Sequence, residues 1–280
     1  INISAEWGQP LNPEHFKEKL ENDKNKEIKA VIVTHSETST GVINDLESIS
    51  RHIRNHEKAL SIIDCVTSIG ACNVPVDEWE LDIVASGSQK GYMIPPGLSF
   101  LSISEKAWEA NEKSNLPKFY LDLKSYKKSL LNDSNPYTPA VNLMFALDEA
   151  LKLMREEGLQ NIFDKHKKHM LAISNAAKTL KLSLFAKENA LSPAITAIEA
   201  KDFDAEIFRK RIQTKYNLQL AGGQDHLKGK IFRVGHLGYV SDQDIICVIS
   251  AIGLTLFEQN LAKAEEIGKA LVVAKEQLDK

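Results

Sequence analysis

The sequence predicts an α/β protein: a mixed, mostly parallel sheet with helices on both faces, followed by a smaller C-terminal α+β domain. Two observations carry this prediction. Short apolar runs recur with helix-length amphipathic stretches between them, the pattern of strands buried in a layered sheet. Beyond residue 140 the order changes to longer helices alternating with single short strands. With 280 residues and 43% hydrophobic content, the chain can bury either one large core or two smaller ones.

Each element follows from its residues. Residues 11–20 read as a helix, and Ala30-Val31-Ile32-Val33-Thr34 as a buried strand bounded by polar turns. Residues 46–56 form an amphipathic helix carrying Ile49 and Ile53. Leu60-Ser61-Ile62-Ile63-Asp64 is a second strand, Leu81-Asp82-Ile83-Val84-Ala85 a third, and residues 98–103 a fourth. The pattern breaks near Asn135-Pro136-Tyr137-Thr138-Pro139. A helix over 141–157 follows, stopped by Gly158, and another covers 159–180. Then come a strand at 194–198, a helix over 205–216, a strand at 231–234 and a helix from 242 to about 261. The charged tail 262–280 reads as a surface helix. Together these divide the chain into a large domain over 1–134, a connecting segment and helix over 135–158, and a small domain over 159–280.

Composition removes several function classes. A net charge of −3 with interspersed signs gives no footprint for nucleic acid. No apolar run approaches the roughly 20 residues of a membrane span. Three cysteines (Cys65, Cys72, Cys247) form no C-x-x-C pair and cannot all be bridged, which suits a reducing, cytoplasmic setting. His35 and His236 lack companions at metal-ligand spacing, and the glycines form no dinucleotide or P-loop fingerprint. The chain opens on Ile1 in an already strand-like segment, so its natural start is expected upstream.

Chemistry is expected where polar clusters follow strand ends, because open α/β sheets bind ligands at the carboxyl ends of their strands. Asp64 enters a small-residue turn. Alone it reads as a capping or turn aspartate, which is the commoner use. Lys90 lies in Ser86-Gly87-Ser88-Gln89-Lys90-Gly91. Alone it is an ordinary solvated lysine; desolvated, it is an amine nucleophile for an aldehyde. The pair meets the requirement of pyridoxal phosphate, a lysine for the aldehyde and an acid for the pyridinium nitrogen. His35-Ser36-Glu37-Thr38-Ser39-Thr40-Gly41 serves equally as a phosphate cradle or a helix-capping turn. Arg233, between apolar residues in a strand, needs an anion: a substrate carboxylate or an internal salt bridge.

Taken together, in this order along nearly the whole chain, these motifs resemble the class-V aminotransferases of the fold-type I pyridoxal-phosphate superfamily. The carrying segments are 35–41, Asp64-Cys65-Val66-Thr67-Ser68, 86–90 with Pro95-Pro96-Gly97, Tyr137-Thr138-Pro139, and 229–238. The likeness is nearest to the alanine–glyoxylate, serine–glyoxylate and serine–pyruvate group. It implies pyridoxal 5'-phosphate as cofactor and a ping-pong transfer from alanine or serine to glyoxylate or pyruvate. By that likeness Lys90 holds the cofactor and shuttles the proton, and Asp64 keeps the ring nitrogen protonated. Val66 packs on the ring, while Gln89 and Thr38 bind the phosphate. Thr138 reaches a neighbouring subunit's phosphate in a homodimer, and Arg233 clamps the α-carboxylate. Ser68 and His35 support the residues that touch the cofactor.

Asn135 and Pro136 depart from the aromatic and histidine residues often found before the phosphate-binding threonine. The resemblance also implies that the family's N-terminal portion, with a phosphate loop, a stacking aromatic and part of the dimer interface, is lacking here. Two other outcomes share these motifs: a pyridoxal-phosphate lyase or desulfurase, and a non-catalytic fragment without a cofactor pocket. A desulfurase needs a mobile cysteine, and the three present lie in or beside predicted elements.

Overall fold

The computed structural model describes residues 1–280. Helix α1 (Pro13–Asn22) begins where the Asn12 side chain accepts from the Glu14 amide and Pro13 pre-sets the first turn. Strand β1 (Ala30–Thr34) runs into a short hairpin, β2 (Ser36–Glu37) and β3 (Val42–Ile43). Helix α2 (Leu46–His56), capped by Asp45, leads to β4 (Leu60–Asp64), then β5 (Ile83–Gly87) and β6 (Ser99–Ile103). The sheet order is β1-β4-β5-β6. The first three strands are parallel and β6 is antiparallel to β5.

Alternation along the strands sorts the two faces. Val33, Ile63 and Val84 point into a core with Phe16 and Leu20 of α1 and Leu46, Ile49 and Ile53 of α2. The opposite face is open towards both edges of the sheet, where Ile32 is 76% and Leu101 48% exposed. Asp64 belongs to the same row as Ile32, since alternate residues share a face and Ile32 pairs with Ile62.

Helices α3 (Glu105–Glu112) and α4 (Leu123–Leu130) follow, then α5 (Val141–Glu157). The stretch from Leu116 to Phe145 leaves Phe119, Leu121, Leu131 and Phe145 exposed, and α5 buries only Ala150 and Met154. Gly158, at φ 84°, ends α5 and begins α6 (Leu159–Thr179).

The remaining chain forms β7 (Ile195–Glu199), α7 (Ala205–Tyr216), β8 (Ala221–Gly222), β9 (Ile231–Gly235), α8 (Asp242–Glu258) and α9 (Ala264–Leu278). The antiparallel sheet β7-β9-β8 packs with α6, α7, α8 and α9 around Phe208, Phe232, Ile173, Ile198, Ile245 and Ile249. The expected surface helix over the tail is α9, exposed on one face and docked on the other. Helix α9 turns Ile267, Ala270, Ala274 and Leu278 into this core. Their three- and four-residue spacing is an apolar stripe that the many charges on the other face obscure. No helix is long and apolar enough to cross a membrane.

The β2–β3 hairpin joins the two cores. The Ser192 amide donates to the Gly41 carbonyl, and the Ser36 and Ser192 hydroxyls lie 2.8 Å apart.

Candidate active site

Parallel register brings the predicted strand-end residues to one end of the sheet. Thr34 pairs with Asp64, and Asp64 with Ala85. The Asp64 carboxylate is exposed and accepts the Val66 amide at 2.9 Å, which orients both residues. It makes no ion pair. Lys90 lies three residues beyond β5, half-buried, with neither a hydrogen bond nor an ion pair to its amine. Its turn is pressed onto the turn that follows Asp64. A Cβ at Gly91 would stand 2.1 Å from the Ile69 carbonyl oxygen, so only glycine permits this approach. Ser88 braces the turn by donating to the Pro95 carbonyl and accepting from the Leu98 amide.

His35 is buried behind Asp64, its amide donating to the Asp64 carbonyl at 2.9 Å. Its ring stands edge-on to Trp79 and 4.0 Å from the Cys65 sulfur. Burial pushes the His35 pKa down to about 4 and the Cys65 thiol up to about 11, so both are neutral near pH 7. The Ser68 hydroxyl is fully buried without a partner.

Arg233 arrives from the other core. Its Nη1 donates to the Thr38 carbonyl at 2.5 Å and its Nε to the Gly222 carbonyl at 2.8 Å. The internal salt bridge considered from sequence is absent; two backbone carbonyls hold the guanidinium instead. Burial, then the neighbouring Arg209 charge, lowers its pKa, with Glu37 opposing. A cleft of about 310 Å³ is lined by Trp7, Thr34 and, on either side of Thr38, Glu37, Ser39 and Thr40, among others. A second cleft, about 750 Å³, runs along α1 and the outer edge of β1 and holds none of these residues.

Thus Asp64, Val66, Ser68, His35 and Lys90 share one sheet end, and Thr38 and Arg233 meet beside it. Gln89 is exposed, with its side chain turned towards Gly87 and no hydrogen bond. Thr138 lies exposed before α5 and shares no hydrogen bond with the others. Sequence reasoning missed His166, whose Nε2 lies 3.0 Å from the Gly238 amide, below the Lys90 turn. Its signal was available: a histidine in line with the apolar Ile162, Met170 and Ile173.

The family's own sequence pattern, "Aminotransferase class-V", matches residues 8–235. The chain is a class-V aminotransferase. A serine–glyoxylate aminotransferase of Methylorubrum extorquens is 36% identical, over 91% of this chain and 66% of its own. A protein named soluble hydrogenase, small subunit, of Synechococcus sp. (strain PCC 6716) is 57% identical, over 91% of this chain and 67% of its own. The crystal structure of ureidoglycine–glyoxylate aminotransferase from Bacillus subtilis superposes with a TM-score of 0.90 at 30% identity, covering 99% of this chain and 71% of that one. The chain therefore spans about two thirds of the length of these relatives.

As a class-V aminotransferase it is a pyridoxal-phosphate-dependent transaminase with the fold-type I architecture. The residues present fit that cofactor. A carboxylate free of ion pairs and an amine without a partner share one sheet end, the acid and the amine that a pyridine aldehyde requires.

Proposed function

We propose that this aminotransferase moves the amino group of alanine or serine to glyoxylate or pyruvate. The observation that carries this reading is an amine and an acid, both free of ion pairs, at one sheet end, with an arginine beside it that has no carboxylate partner. Pyridoxal phosphate, when bound, supplies the electron sink for amino-group transfer. Lys90 binds it through its amine and carries the proton to and from the substrate α-carbon. Asp64 accepts a hydrogen bond from the protonated ring nitrogen, and Val66 packs beside it. Gln89 and Thr38 hold the phosphate, with Thr138 reaching the phosphate of a partner subunit. His35 and Ser68 support the Asp64 turn from behind.

Arg233 captures the substrate carboxylate, for which a planar guanidinium offers paired donors. The two carbonyls fix its plane and leave it a full positive charge to offer. The first keto acid leaves before the second enters, a ping-pong order. Large exposed apolar side chains from Leu116 to Phe145 support a homodimer seated on that surface. The three free cysteines support a reducing, cytoplasmic location. We assign residues 1–134 to the cofactor domain, 135–158 to the connection and 159–280 to the small domain.

The test is a half-reaction panel on cofactor-loaded protein with alanine, serine, glutamate and 2-aminoethylphosphonate. Alanine or serine alone should bleach the bound-cofactor absorbance and release its keto acid, and glyoxylate or pyruvate should restore the absorbance. Lys90→Ala should abolish borohydride fixation of the cofactor to the chain. Release of product that continues over many turnovers without any keto acid would overturn the transaminase reading in favour of a lyase. No fixation in the unaltered protein would favour a non-catalytic fragment.

A further inference from the structure

The segment carrying Arg233 does more than present that arginine. Strand β9 ends at Gly235 and continues through His236 and Leu237 to Gly238, where the chain turns beneath the Lys90 loop. Gly238 has φ +91°, and a Cβ there would lie 3.3 Å from the Met93 side chain and 3.7 Å from the Lys90 carbonyl oxygen. That carbonyl in turn accepts the Met93 amide at 2.9 Å. One short loop thus spans from the arginine strand to the backbone of the lysine.

The loop is held from below by one side chain. The Gly238 amide donates to His166 Nε2 at 3.0 Å, and His166 Nδ1 lies 2.7 Å from the Ile162 carbonyl. A carbonyl can only accept, so Nδ1 carries the proton and Nε2 is the bare acceptor. The ring is 2% exposed, so both nitrogens are shielded from bulk solvent. Helix α6, buried in the C-terminal core, fixes the ring from its own side. The loop ends are anchored at His236, whose amide donates to the Ala194 carbonyl and whose ring meets the Thr196 hydroxyl at 3.0 Å, and at Asp242, whose carboxylate lies 2.7 Å from His169 Nε2.

We propose that His166 is a positioning residue: through Gly238 it sets the placement of the Lys90 turn relative to Arg233. This rests on Lys90 being the cofactor amine and Arg233 the carboxylate clamp. It adds a residue that touches neither cofactor nor substrate. The distance between the amine and the clamp is a property of two separate cores, and His166 fixes, within the C-terminal core, the loop whose Gly238 turn abuts the Lys90 turn of the other. Misplacement on the ångström scale is costly for a reaction that depends on orientation.

The experiment uses the full chain without cofactor, so that its outcome does not depend on turnover. His166→Leu removes the acceptor at similar size, and His166→Gln restores an acceptor near the Nε2 position. Amide hydrogen exchange at Gly238 and across 88–93 should accelerate in His166→Leu by roughly tenfold, the weight of one net hydrogen bond. The exchange of β1 and β4 should stay unchanged, and His166→Gln should recover most of the protection. The rate at which an amine-directed reagent labels Lys90 should shift in His166→Leu and return in His166→Gln. Unchanged exchange across 88–93 in His166→Leu, or a glutamine variant indistinguishable from the leucine one, overturns the proposal. Should His166→Leu fail to fold, nitrogen NMR of the unaltered chain decides: a proton on Nδ1 is expected, and a proton on Nε2 overturns it. Failure of the function reading looks different, because the unaltered protein would then not fix cofactor at Lys90 whatever the state of His166.

Discussion

The two halves of the molecule bury their apolar residues differently. The C-terminal core gathers 24 buried residues around β7-β9-β8 and four helices, against 11 in the core beneath the first sheet. The N-terminal sheet is packed by α1 and α2 on one face and open near its edges on the other. Asp64 lies on that open face and Lys90 just beyond β5, whereas Arg233 is rooted in the closed core. The difference teaches where each half contributes. The C-terminal core supplies rigidity and sends out one arginine and one loop, while the sheet end keeps reactive groups unpaired.

The largest effect that would test this contrast is in the closed core. Phe208 is fully buried against Phe203 and Phe232, with ring centroids 4.6 and 5.2 Å away. Phe208→Ala should cost about 3–5 kcal/mol of unfolding free energy, read from the urea midpoint. A loss under about 1 kcal/mol would mean the core is looser than its burial implies.

Acid tests both halves at once. His35, in the first, and His236, in the second, are buried and neutral, with pKa values pushed down to about 4 and about 3 from an ordinary 6.5. Below pH 6.5 the unfolded chain takes up protons that the folded chain refuses. Stability therefore falls as pH drops from that point, through about 4 for His35 and about 3 for His236. Each contributes a slope on the order of 1 kcal/mol per pH unit. Urea midpoints between about pH 7 and pH 5 should fall accordingly, and His236→Gln should flatten the slope. An equal slope in that variant would remove His236 from the account.

The smallest effect is expected on the open face. Ile32→Ala should change the stability of this chain by no more than about 0.5 kcal/mol, because a residue 76% exposed has little burial to lose. A larger loss would show that the face is covered in solution, and concentration-dependent unfolding would then indicate another copy as the cover.

Much of this was legible in the chain. The runs at 30–34, 60–64 and 81–85 announced three strands because they are apolar, short and bounded by polar turns. Asp64 and Lys90 could be paired because each follows such a run. Other features were hidden for physical reasons. Strands β2 and β3 have two residues each, too few for any period to register. Helix α4 has an apolar stripe of Leu123, Tyr126 and Leu130, but it is only eight residues long and buries none of them, so the stripe is too short to stand out. The meeting of Arg233 with the Thr38 carbonyl spans 195 positions and uses a backbone atom, which no side-chain pattern encodes. His166 was visible only as a polar interruption of a stripe, and its partner is again a backbone amide.

Gly158 has one further consequence. In a continuous helix, inserting one residue rotates everything after it by about 100°. Because α5 and α6 meet at a residue outside helical geometry, that phase error stops there. The outer helix can gain or lose residues over evolution while the stripe bearing Ile162, His166 and Ile173 keeps its azimuth. The join acts as a register reset, allowing an exposed surface to diversify beside a bearing that must not turn.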